Sequence, residues 1–401
     1  MLSVSDLYME LTVQNAALLL LIAIVVAILT QRLNLPYSVG LVAAGIALAF
    51  LRFSNTIALT KDLLFTVLLP PLIFQAAFYL DWRRLRRDLG VIVVLATLGV
   101  ILSAGITTLG MHYLANWQWL SALVFGVLIA ATDPVSVIAT FQESGARGRL
   151  VLLVEAESLF NDGTAAVFFV MILDLVGGKS PSPVNSALQL LLTAGGGLFT
   201  GAAIAALALL LAGNTQDHLI EIALTTVAAY GSFLLAERFH MSGVLATLSA
   251  GLTLGNLGKD GRISDRGREA VQDFWGYAAF VANSLIFLLI GMHVEMQDFG
   301  AVRVPALIAI LLVTLGRAAA VYPCCALFLR SRQRVPAKQQ HILFWGGLRG
   351  ALALALALAL PAAVPERETI IAISFAVVAF SIFVQGLTMK PILRAAGELP
   401  R

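Results

Sequence analysis

Charge is what this chain is short of. Only 12% of its 401 residues are Asp, Glu, Lys or Arg, whereas a soluble domain carries roughly 25%. With 59% hydrophobic residues and a mean hydropathy of +0.91, no stretch is left from which a soluble catalytic domain could be assembled. Cysteine is nearly absent. The two present, Cys324 and Cys325, are neighbours in an apolar run and rarely placed to bond, so thiol redox chemistry is not expected. The five histidines, His112, His218, His240, His293 and His341, sit mostly near the ends of apolar stretches. They read as interfacial residues, with a pH sensor among them as the sharper alternative. The opening MLSVSDLYMELTVQ lacks a basic start and a processing site, so no cleavable signal is expected. The net charge of +3 says little about partners, and no nucleic-acid partner is expected.

What is present is hydrophobic length. Thirteen stretches read as membrane spans, at about 12–31, 35–53, 62–80, 90–115, 119–141, 148–176, 184–212, 218–237, 241–257, 272–293, 301–329, 339–361 and 366–393. Each approaches or exceeds what a hydrocarbon core of about 30 Å requires. Of the 26 Lys and Arg, 18 fall after odd-numbered stretches or in the tail, and six after even-numbered ones. That bias places the odd loops in the cytoplasm, the N-terminus outside and the C-terminus inside. The Arg83–Arg87 cluster belongs to this pattern, and anionic lipid binding is its alternative reading.

Two spans are interrupted. The fifth carries Thr132-Asp133-Pro134 and the twelfth Gly346-Gly347-Leu348-Arg349-Gly350. Proline removes a helix donor and clustered glycines lower helix propensity, so both spans are expected to unwind there. If spans 1–6 and 8–13 form two repeats, these two correspond, and a separation of seven spans inverts one half against the other. Interrupted spans at matching positions point to a transport site. The repeat rests on topology, without visible residue-level self-similarity.

The sixth span holds Glu155, Glu157, Asp162 and Asp174. A charge near the bilayer centre costs at least about 2.5–3.5 kcal/mol, so such residues usually face a protein interior or an aqueous cavity. At 100° per residue Glu155, Ser158 and Asp162 share one face, and Glu157 with Asn161 forms a neighbouring stripe. Ser158 and Asp162 could present a hydroxyl and a carboxylate to one hard cation, with Thr132, Asp133, Asn161 and freed carbonyls adding oxygens. One carboxylate that takes either a cation or a proton is the minimal exchange device. Blander readings stand beside these: Asp133 as a helix-end stabiliser, Glu155 as a solvated rim, Asp174 as an interfacial acid, and the Ala-Leu run 351–360 as small-residue packing.

Ala131-Thr132-Asp133-Pro134, Glu155-Ala156-Glu157-Ser158-Leu159-Phe160-Asn161-Asp162 and Gly346-Gly347-Leu348-Arg349-Gly350-Ala351 together resemble the sodium/proton exchanger (monovalent cation:proton antiporter) family. The branch is the one with Asn-Asp at its ion site, in a prokaryotic, NhaP-like form. Supporting stretches are Leu69–Phe74, Ser242–Ala246 and Asn283–Phe287, so the resemblance runs from about 15 to 393. It implies an all-α polytopic membrane protein of about 13 transmembrane helices, in two inverted six-helix repeats. Discontinuous helices 5 and 12 would cross near the midplane. It implies one transmembrane antiporter domain over 1–401, without a soluble domain. A core bundle would include 119–176 and 339–393, and a dimerisation bundle 12–53 and 184–257. The core of a homodimer would move as an elevator.

The resemblance also assigns roles. Asp162 would bind ion and proton, with Asn161 beside it and Thr132, Asp133 and Ser158 lining the site. Glu157 would pair with Arg317, as a structural ion pair or as a participant in transport. Arg349 would balance Asp133 or the helix ends. No cofactor is implied; the cargo is Na⁺, or Li⁺ or K⁺, against H⁺, electroneutrally and 1:1, across a plasma membrane and in the service of pH homeostasis. Gln75 stands where relatives usually have Glu, and Ala156 where they usually have Gly. The long cytoplasmic tail of eukaryotic members has no counterpart, so a minimal prokaryotic member is expected. A K⁺-selective exchanger, a cation channel and an intramembrane hydrolase using Asp133 and Asp162 are the competing readings.

Overall fold

In lipid every backbone N–H and C=O must find a partner within the protein, which leaves helices as the economical answer to long apolar runs. The computed structural model describes residues 4–33, 35–51, 60–133, 137–138, 141, 148–178, 183–213, 215–258, 263–295 and 299–398, and among them there is no strand. The helices are α1 (Val4–Leu33), α2 (Tyr37–Phe50), α3 (Leu63–Tyr79), α4 (Trp82–Ala115) and α5 (Trp119–Leu128). Then come α6 (Arg149–Val176), α7 (Pro183–Ala212), α8 (His218–Arg238), α9 (Gly243–Leu257) and α10 (Asp265–Glu295). The last are α11 (Phe299–Ala326), α12 (Ala337–Trp345), α13 (Ala351–Leu358) and α14 (Arg367–Ala396).

Eight of the described helices are long and apolar enough to cross a membrane: α1, α4, α6, α7, α8, α10, α11 and α14. The others are shorter for local reasons. The fifth stretch is helical only to Leu128 before its interruption, and the twelfth is split into α12 and α13 by residues 346–350. Pro134 lies outside the described residues. The fourth stretch begins earlier than its apolar run, because the Asp81 carboxylate accepts from Arg83 N and Arg84 N and caps a helix starting at Trp82. In α3, Pro70 and Pro71 have no N–H to give, and Leu69 N reaches back five residues to Leu64 O, forming a wide π-helical turn over Leu63–Leu68.

Packing gathers the helices into two groups. In one, α2 lies along α10, and α9 packs against α7, α3 and α8. In the other, α4 packs against α11 and α5, α11 against α14, and α5 against α6. The groups are joined by the short link between α3 and α4. There Asn256 of α9 accepts from Trp82 N (2.8 Å) and donates to Leu80 O (2.9 Å). Phe199 and Leu210 of α7 remain exposed, as suits a helix that is apolar all round and faces lipid.

Candidate functional site

The two interruptions meet. Asp133 N donates to Leu348 O at 2.7 Å, joining one unwound stretch to the other. A helix that stops short leaves carbonyls without donors. Arg349 supplies them, its Nη1 lying 2.9 Å from Ala130 O and 3.2 Å from Ala131 O. At the opposite polarity, the Asp133 carboxylate lies 3.4 Å from Ala351 N, where α13 begins and negative charge is favoured. Arg349 thus serves helix-end carbonyls. Asp133 serves a helix start while also facing the cavity described next.

A cavity of about 290 Å³ lies against these breaks. Asp162, Glu155, Asp133 and Thr132 line one wall; Tyr37, Gln75 and Asn283 contribute from α2, α3 and α10. One oxygen of Asp162, Oδ1, is buried with no hydrogen-bond partner among the described residues. That is a costly arrangement for a carboxylate unless the group has a cation or a proton to receive. From Asp162 the cavity extends along α6 towards its N-terminal end, past Leu159 to Glu155.

Ser158, Asn161 and Glu157 lie behind that wall, and all three are buried. Asn161 grips the first unwound stretch: Thr132 N donates to Asn161 Oδ1 (3.1 Å), and Asn161 Nδ2 donates to Thr132 Oγ1 (2.5 Å) and Glu157 Oε1 (3.1 Å). Ser158 Oγ is 3.0 Å from Thr132 Oγ1. Glu157 in turn receives both ends of the Arg317 fork at 2.7 and 3.0 Å, while Arg317 also donates to Leu343 O at 3.2 and 2.8 Å. A continuous chain of polar contacts therefore runs from α11 through α6 to Thr132. Of the residues singled out in the sequence, Thr132, Asp133, Asp162, Glu155 and Gln75 reach the cavity, while Asn161, Ser158, Glu157 and Arg317 form the chain of contacts that holds Thr132.

The far wall carries groups that sequence reasoning passed over. Tyr37 stacks on Phe280 at 5.5 Å, and its hydroxyl is 2.6 Å from Ser284 Oγ. Ser284 Oγ donates its one proton to Phe280 O, so the phenol is the donor to the serine. The available signal was a tyrosine directly after Pro36, opening a short apolar stretch. Arg349 has a second environment: Nε and Nη2 have no hydrogen-bond partner among the described residues, and the residue borders a separate pocket of about 10 Å³ with Thr314, Ser381 and Gln385. No group of three or more His, Cys, Asp or Glu among the described residues could hold a metal ion in the manner of a resident metal site. The oxygens on offer are hard donors, suited to a passing monovalent cation.

Residues 18–395 match the profile of the family described as sodium/hydrogen exchanger, transmembrane. The Na(+)/H(+) antiporter ApNhaP of Aphanothece halophytica is 36% identical over 91% of this chain and 70% of its own length. The Na(+)/H(+) antiporter NhaP of Pseudomonas aeruginosa is 34% identical over 83% of this chain and 81% of its own. Among solved structures, the sodium proton antiporter MjNhaP1 of Methanocaldococcus jannaschii at pH 8 superposes with a TM-score of 0.75. It covers 97% of both chains at 21% identity, a likeness of fold.

Proposed function

Because the chain belongs to the sodium/hydrogen exchanger family, whose members are secondary transporters rather than enzymes, we propose that it exchanges Na⁺ for H⁺ across the membrane at a site centred on Asp162. The observation that carries this reading is the buried Asp162 Oδ1, without a hydrogen-bond partner among the described residues, on the wall of a cavity shared with Asp133 and Thr132. A cation entering would be met by two carboxylates and a hydroxyl, and a proton on Asp162 would neutralise the same oxygen when the cation leaves. One carboxylate alternating between the two cargoes gives electroneutral 1:1 exchange.

The cavity reaches towards the end of α6 that begins at Arg149. With odd loops cytoplasmic, that end faces the cytoplasm of a plasma membrane, the N-terminus is outside and the C-terminus inside. The described arrangement is then the inward-facing one. Alternating access would follow from movement of the group containing α4–α6 and α11–α14 against that containing α2, α3 and α7–α10. The latter, with α1, would form the contact of a homodimer. The meeting of two interrupted spans supports inverted repeats.

The test is reconstitution of wild type and Asp162→Asn in liposomes with an internal pH dye, under Na⁺ and K⁺ gradients applied separately. Proton movement driven by Na⁺, unchanged when the membrane potential is clamped and absent in the variant, is the expected result. A response to K⁺ alone changes the cargo and keeps the site. Full activity in Asp162→Asn overturns the assignment.

A further inference from the structure

The charged side chains that line the two pockets beside the interruptions are sorted by sign. Asp133, Asp162 and Glu155 line the large cavity, and none of the described residues lining it is Lys, Arg or His. The two nearby guanidiniums, Arg317 and Arg349, border the small pocket on the side of α11 and α14 instead. A water-accessible cleft with low-dielectric walls and charge of one sign concentrates counter-ions within it. Asp133 and Asp162 are accounted for at the deep end. Glu155 is not.

Glu155 is seven residues before Asp162 on an unbroken helix, which puts it about 20° away on the same face and about 10 Å nearer the α6 N-terminus. It forms no hydrogen bond and no ion pair among the described residues, unlike Glu157 two positions on, which is held by Arg317. Across the cavity from it lies Gln75 of α3, a neutral side chain. Among the described residues a carboxylate so placed has neither a structural partner nor a basic neighbour on the cavity wall, and the space beside it leads to the proposed transport site.

We propose that Glu155 is a second cation station, at the mouth of the cavity, which binds an entering hydrated monovalent cation and passes it to Asp162. The proposal rests on the exchange reading above. Its effect is sided: it acts on cations arriving from the face on which α6 begins, because only that face opens onto Glu155. It acts through charge, so a carboxylate elsewhere in the lining of the same cavity can replace it.

The experiment measures half-saturating Na⁺ from each face separately, using vesicles of both orientations at alkaline pH, for wild type, Glu155→Gln, Glu155→Asp, Gln75→Glu and Glu155→Gln with Gln75→Glu. Removing one unit charge about 10 Å from the site should raise half-saturation at the α6 N-terminal face roughly two- to tenfold. The value at the opposite face should stay within error. Glu155→Asp and the double variant should return towards wild type, and the difference should shrink in high concentrations of an impermeant salt. Gln75→Glu alone should lower half-saturation at that face, which tests the idea even if Glu155→Gln fails to fold. Equal values for wild type and Glu155→Gln, or an equal rise at both faces, overturns the station. Absence of any Na⁺-driven proton movement in wild type instead overturns the exchange reading itself.

Discussion

Glu157 and Arg317 show how much a single residue can carry without touching cargo. Both are buried, and the bidentate contact at 2.7 and 3.0 Å leaves neither charge alone. Removing one partner strands the other, which costs about 3–5 kcal/mol for a buried pair, whereas replacing both with apolar groups can be nearly neutral. Glu157→Leu and Arg317→Met singly are therefore expected to lower the melting temperature in detergent by many degrees, with the double variant recovering much of the loss. If transport also returns in the double variant, the pair is structural. Recovery of folding without transport would mean that Glu157 acts on the cargo or on Thr132 through Asn161. The helical wheel made the shared face of Glu155 and Asp162 legible, since angles follow from spacing alone. It could not show that Asn161 and Ser158 turn to Thr132, because that depends on where a distant unwound stretch comes to rest.

Among the elements, the α2–α10 pair sets the far wall. Gly45 and Gly291 face one another so closely that a Cβ on Gly45 would overlap Leu288 O, and one on Gly291 would overlap Val42 O. This close approach keeps Tyr37 in register with Phe280 and Ser284, since Tyr37 lies two turns from Gly45 on α2. Gly45→Val should force the helices apart at a cost of about 1–3 kcal/mol, the usual range for overpacking. Thermal stability should fall, and Tyr37 fluorescence or crosslinking to α10 would report the displaced wall; an unshifted melting temperature would show that the crossing tolerates a side chain. The apolar runs were readable because lipid demands helices, and the interruptions because proline and clustered glycines oppose them. The early start of α4 at Asp81 and the wide turn before Pro70 are set by single capping and donor-loss events, which hydropathy averages away. Tyr37 is not singled out by the sequence, and Asn283 enters only within the Asn283–Phe287 motif, for another reason: they come to line one cavity with Asp162 only after α2 and α10 have packed together.

For the whole molecule, the separation of the cavity's carboxylates from Arg317 and Arg349 has a consequence for pH. On the exchange reading a cation in the cavity would be held by negative charge on Asp162 and Asp133, while Arg349 is engaged with Ala130 O and Ala131 O. Protonation of Asp162 would remove the charge proposed to bind the cation, so the two cargoes would compete for one site. As pH falls, half-saturating Na⁺ must therefore rise, by up to tenfold per pH unit once the protonated form dominates. As pH rises, it must level off at the value for the ionised site. Because each turnover would return one positive charge for one, this pH dependence should be the same with the membrane potential clamped or free. Initial rates of Na⁺-driven proton movement, measured across roughly pH 6.5–9 at several Na⁺ concentrations, decide the matter. Half-saturation that does not move with pH would mean that cation and proton bind at different groups. The proton carrier would then be sought first at Asp133 and Glu155, the other carboxylates on the same wall.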